Sequence, residues 1–210
     1  MFYVVARTIC SLFFKILFSY KSYGLQNLPA EGPCIIASNH LSFLDPIAVG
    51  LLTHRRVSFM ARRDLLDNKI FGLLIRNLET IPLNRNGQDI KAIRQALRLL
   101  EQERILCIFP EGRRSPDGNL GKPLQGVEVL AKKSQAKVVP VYLEGTNLAL
   151  PLNACFIRLK KIRAFVGKPI EPETDKPSGE LTKRIWQEMH RLREKARNFE
   201  TIAECNNFIG

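Results

Sequence analysis

The sequence predicts an α/β domain with a mainly parallel central sheet. Short apolar runs alternate with longer stretches of helical periodicity. Each notable polar cluster also follows directly on one of the apolar runs. Residues 34–37, 57–60, 80–83, 105–109 and 138–143 read as short buried strands, and 163–166 as a further one. A glycine-bounded connector, residues 24–32, precedes the first of them. Residues 88–102 are predicted helical: Ile90, Ile93, Leu97 and Leu100 fall on one face, and Lys91, Arg94, Arg98 and Glu101 on the other. A last helix runs from 178 past 199, with Leu181, Ile185, Met189, Leu192, Ala196 and Phe199 in register.

Residues 1–20 are apolar but broken by Arg7 and Lys15, so no uncharged run approaches the ~18 residues a membrane span needs. Thr8, Ser11, Lys15 and Ser19 recur at helical spacing opposite Phe2, Val5, Ile9, Phe13, Ile16 and Tyr20, a pattern suited to a helix lying in a membrane interface. The alternatives are a helix that packs on its own domain and, less well matched, a signal peptide. The expected organisation is an interfacial helix over 1–23 and one domain over 24–210, including the last helix.

Composition narrows the partners. Lys and Arg number 32 against 20 Asp and Glu, a net charge of +12 that attracts anionic lipid headgroups, phosphorylated small molecules, acidic carrier proteins or nucleic acid. No nucleic-acid-binding motif is visible, and the basic residues lack interleaved aromatics, so nucleic acid is not expected. Cys10, Cys34, Cys107, Cys155 and Cys205 are scattered and odd in number, which encodes neither a disulfide framework nor a metal site and suggests a reducing compartment.

Asn39-His40-Leu41-Ser42-Phe43-Leu44-Asp45 places an imidazole five residues before a carboxylate at a strand end. Such a pair can take a proton from an alcohol near neutral pH, although Ser42-x-x-Asp45 is equally a helix-start pattern. Downstream, Glu111-Gly112-Arg113-Arg114-Ser115 closes another strand, and Arg85 and Glu144-Gly145-Thr146 follow two more. In a parallel sheet these strand ends share one edge, where ligands of open α/β folds bind. The residue types suit acyl transfer onto a phosphorylated alcohol. His40 would act as base and Asp45 would orient it. Arg85 and Arg114 would offer forked donors to the phosphate, and Gly112 would admit close backbone approach. Cys34 and Cys107 sit inside apolar strands and read as packing residues; His54 and His190 read as exposed residues without partners.

The pattern resembles the glycerolipid acyltransferases typified by bacterial 1-acylglycerol-3-phosphate acyltransferase, over residues 24–170. Asn39, His40, Ser42 and Asp45 match the family's N-H-x-S-x-x-D block, and Ile81, Pro82 and Arg85 its second. Phe109, Pro110, Glu111, Gly112, Arg114 and Ser115 match F-P-E-G-[TS]-R-S, while Val139, Pro140, Val141, Gly145 and Thr146 match the fourth. The resemblance implies the glycerol-3-phosphate acyltransferase-like αβ fold, an apolar tunnel or groove for the acyl chain, and no metal or cofactor. It further implies acyl-CoA or acyl carrier protein as donor, membrane lipids and an anionic bilayer as partners, and a peripheral or monotopic place on the cytoplasmic face of the cell membrane. Glu79, Asn84, Arg113 and Leu124-Gln125-Gly126 depart from the family pattern, which leaves the acceptor open: 1-acylglycerol-3-phosphate, glycerol 3-phosphate, a lysophospholipid or an aminolipid. Two readings of other classes are a thioesterase, in which His40 activates water, and a noncatalytic lipid-binding protein.

Overall fold

The structure is a computed structural model and describes residues 2–62, 80–83, 89–152, 154 and 156–207. Its strands are β1 (Lys21–Tyr23), β2 (Cys34–Ser38), β3 (Val57–Arg62), β4 (Ile81–Leu83), β5 (Ile105–Ile108), β6 (Lys137–Glu144) and β7 (Arg163–Val166). They form one sheet in the order β1-β7-β6-β2-β5-β3-β4. All described pairs are parallel except β6 with β7. The helices are α1 (Phe2–Phe18), α2 (Asp45–Gly50), α3 (Ile90–Glu101), α4 (Gly126–Ser134), α5 (Thr146–Ala149) and α6 (Glu180–Asn207).

β2 shows why the sheet is central. Cys34 and Ile36 point into an apolar layer with α1 and α2, while Ile35 and Ala37 point into a second layer with α3, α4 and α6. A strand covered on both faces needs apolar residues at every position, and CIIA supplies them. α6 meets its layer through Leu181, Ile185 and Met189, and Leu192 and Ala196 continue the stripe against Tyr142 and Phe165. α3 is rotated from its expected face. Ala92, Ala96 and Leu100 form the buried stripe, flanked by Ile93 and Leu97, and Ile90 is exposed. Two small alanines let the helix lie close to its neighbours, and that packing overrides the preference of a bulkier isoleucine.

The N-terminal segment belongs partly to this core. Phe14 and Phe18 are buried with α2, and the Tyr20 hydroxyl donates to Ala48 O at 2.8 Å. Val5, Ile9, Phe13 and Ile16, all on the apolar face expected from the sequence, are exposed together with Val4 and Leu12. Arg7 is not simply a solvated charge: its guanidinium donates to Leu51 O at 3.3 Å and lies 3.2 Å from His54 Nδ1. This corrects the expectation that His54 is unpartnered. His190 likewise has a ring neighbour, Trp186, at 6.4 Å. No described helix is long and apolar enough to cross a membrane.

Candidate active site

β6, β2 and β5 lie side by side and parallel, so the residues after each meet at one sheet edge. Main-chain and side-chain hydrogen bonds lash these three loops together. The Asn39 amide donates to Leu143 O at 2.9 Å and accepts from Leu143 N at 2.7 Å, tying the end of β2 to β6. On the other side, Ser115 N donates to His40 O at 2.7 Å, and His40 N donates to Glu111 Oε1 at 3.3 Å. His40 is thereby held through its own main chain from the β5 loop. Asn39, Ser42, Asp45 and Thr146 are fully buried, whereas the His40 side chain retains 17% exposure.

Asp45 Oδ2 is the centre of the arrangement. It lies 2.8 Å from His40 Nδ1 and accepts the backbone N–H groups of Leu41 and Ser42 at 2.6 and 2.7 Å. An acceptor-only carboxylate places the imidazole proton on Nδ1 and leaves the Nε2 lone pair free to take another. The helix-start alternative is also partly realised, since α2 begins at Asp45 with Pro46 next to it. Ser42 helps set up this turn: its hydroxyl donates to Leu150 O at 2.8 Å and accepts Leu44 N at 3.3 Å. Phe109 stacks on the imidazole, with ring centroids 4.0 Å apart and planes 18° from parallel.

Glu111 braces the β5 loop. One carboxylate oxygen takes His40 N and the other takes Gly121 N at 2.9 Å. Partial burial pushes its pKa up, offset by those two N–H groups. Gly112 has φ +67°, a left-handed conformation that favours glycine in the turn after Pro110. Ser115 Oγ donates to Asp117 Oδ1 at 2.9 Å and is a brace of the same loop. The Arg114 guanidinium lies 3.6 Å over the Phe43 ring, with its buried Nη1 lacking a hydrogen-bond partner among the described residues. Burial lowers its pKa and the Asp45 charge opposes that shift.

In the β6 loop, Gly145 has φ +84° and a Cβ would lie 2.0 Å from Lys161 O. Thr146 opens α5 with a buried hydroxyl that has no hydrogen-bond partner among the described residues. Pro140 lies between the end of the β6–β7 ladder and the Val138–Ile170 bridge, and its carbonyl accepts Gly167 N at 2.8 Å. Arg85 lies outside the described residues, as do Glu79 and Asn84. Phe109 also lines a cavity of about 200 Å³, together with Met60, Leu83, Ile108, Leu124 and Val127 among others. Burial pushes the Cys34 thiol up to about 12 and the Cys107 thiol well above its ordinary range, so both are packing residues. The sequence reading missed the supporting parts played by Phe43, Gly121 and the Leu143 and Leu150 main chain; only Phe109 lay in a motif that marked it.

A histidine–carboxylate pair at the carboxyl edge of a parallel sheet, fenced by an arginine and an apolar cavity, has the features of an acyl-transfer site. The acyltransferase family model matches residues 19–144, and the chain belongs to that family. Among its relatives is the 1-acyl-sn-glycerol-3-phosphate acyltransferase of Bacillus subtilis, 26% identical over 77% of this chain and 80% of the relative. The enzyme of that name from Streptococcus pneumoniae is 25% identical over 98% of this chain and 78% of its own. The chain spans 49% of the chloroplastic 1-acyl-sn-glycerol-3-phosphate acyltransferase BAT2 of Brassica napus, at 28% identity over 79% of this chain. The fold is that of the Thermotoga maritima 1-acyl-sn-glycerophosphate acyltransferase PlsC, with a TM-score of 0.77 over 90% of this chain and 78% of that one, at 24% identity.

Proposed function

We propose that the protein moves a fatty acyl group from acyl-CoA or acyl carrier protein to the hydroxyl of 1-acylglycerol-3-phosphate, giving phosphatidic acid for phospholipid biosynthesis. The observation that carries the reading is His40 held through Nδ1 by a buried Asp45, with Arg114 on the β5 loop presenting a donor that has no hydrogen-bond partner among the described residues. His40 Nε2 takes the acceptor's hydroxyl proton as that oxygen attacks the thioester carbonyl. The new ester C–O bond forms, the C–S bond breaks, and the departing thiolate regains the proton from the imidazolium. Asp45 stabilises the imidazolium in between. Arg114 and Arg85 hold the acceptor phosphate, and the cavity that Phe109 lines beds apolar chain. The chemistry needs no metal or cofactor, only the donor thioester.

The exposed apolar face of α1 and the net positive charge support peripheral attachment at the cytoplasmic face of an anionic membrane. The test is mass spectrometry of products from the purified chain given mixed lyso-acceptors with each donor type. An acylated phospholipid dependent on His40 is expected. Free fatty acid alone would turn the reading to a thioesterase, and no product with retained lipid binding would turn it to a noncatalytic protein.

A further inference from the structure

Between α5 and β7 the chain makes an excursion in which residues 156–161 read Phe-Ile-Arg-Leu-Lys-Lys. Phe156 is 82% exposed and Leu159 72%, and Ile157 and nearby Leu148 and Leu152 are exposed as well. Arg158, Lys160 and Lys161 alternate with these apolar side chains and are also exposed. Leaving several large apolar side chains exposed in so short a stretch forgoes the stabilisation that their burial would bring. A surface that gathers them beside cations marks an interaction site.

We propose that residues 156–161 insert into an anionic lipid surface, a second point of attachment beside α1. This rests on the membrane-surface reading above. Charge selects the occupant. Two copies facing each other through this loop would set three cations against three, whereas anionic headgroups complement them while the acyl region receives Phe156 and Leu159. The loop also ends beside α1: Ile162 N donates to Phe18 O at 3.0 Å, and Lys21 N to Ile162 O at 3.2 Å. It is wired to the catalytic edge too. Arg158 N donates to Ala149 O at 2.7 Å, the neighbouring Leu150 O takes the Ser42 hydroxyl, and Lys161 O packs against Gly145. Insertion would therefore present the catalytic edge to the lipid interface, so that an amphiphilic acceptor reaches His40 without crossing water.

The chain has one tryptophan, Trp186, so Phe156→Trp in a Trp186→Phe background reports on this loop alone. With vesicles of phosphatidylcholine and phosphatidylglycerol, the emission should shift to the blue and be quenched by brominated acyl chains. High salt or pure phosphatidylcholine should weaken both effects. Phe156→Ser with Leu159→Ser should reduce vesicle partition on the order of tenfold. An indole that stays aqueous while flotation shows the protein on the vesicles would overturn the proposal. So would a blue shift that tracks protein concentration without lipid, which would assign the loop to self-association, or one produced by acidic protein in place of vesicles. None of these readouts uses acyl transfer, so the loop is tested separately from the reaction.

Discussion

Around Asp45 three donors converge on one buried oxygen, and the neighbouring strand ends are bolted together by Asn39, Ser115 and Glu111. Along the rim made by α1 and residues 156–161, large apolar side chains have no cover of their own. The ridge spends its polar groups on holding one imidazole in place, as a proton transfer requires. The rim leaves its apolar groups uncommitted, as contact with a fluid surface requires. Polar groups are fully committed around Asp45, and apolar ones are left exposed on α1 and residues 156–161.

The sharpest way to break this contrast is His40→Ala. Activity should fall by about 100-fold to 10,000-fold with the thermal transition nearly unchanged, because only the imidazole side chain is lost. A folded variant with parental turnover would end the mechanism. Asp45→Asn should also abolish most turnover, but it should lower stability by about 1–3 kcal/mol as well, because the amide oxygen that takes the place of Oδ2 carries no charge and the three bonds to it lose their charge assistance. Denaturant melts separate it from His40→Ala, and equal stability of the two variants would show that the ridge is not held through this carboxylate.

Arg114→Ala is expected to cost about 1.5–3 kcal/mol, roughly 10-fold to 150-fold, in use of a phosphorylated acceptor. Hydrolysis of the donor should change little. Competition between acceptors with and without the phosphate reads the difference, and equal losses on both would remove Arg114 from phosphate recognition. On the rim, Ile9→Asp with Ile16→Asp should lower flotation with anionic liposomes about tenfold while leaving the fold intact. Point changes are preferable to deleting residues 1–20, which would take Phe14 and Phe18 out of the core.

The smallest effect is at Asp117. Hydrogen bonds from the Asn119 side chain and backbone, then from Ser115, hold its carboxyl down to about 2. Because the folded pKa is depressed, its stabilising contribution is present above the ordinary aspartate range and is lost as pH falls toward about 2. The melting-temperature gap between the parent and Asp117→Asn should therefore be small at neutral pH and close under acid. A gap that widens on acidification would reverse the assignment.

The buried strands were legible because a strand covered on both faces must be apolar throughout, and the helix register of α6 was legible for the matching reason. β1 was not. Lys-Ser-Tyr carries no strand pattern, and its pairing is set by β7, far along the chain. α4 likewise escaped notice. The spacing of His40 and Asp45 announced the pair, but the lashings around it join residues up to 108 positions apart, as Ser42 with Leu150, and no local window contains both. Arg85 was expected at the same edge; β4 does run parallel to β3, but Arg85 itself lies outside the described residues.

Asn39 trades a donor and an acceptor with Leu143 in the way a peptide group would, so the side chain adds one more rung after the main chain of β2 has turned away. The His40 imidazole is thus registered against the sheet like a pointer fixed to a ruler, and not against the loop that carries it. A single residue added between Asn39 and Asp45 would shift it off the scale.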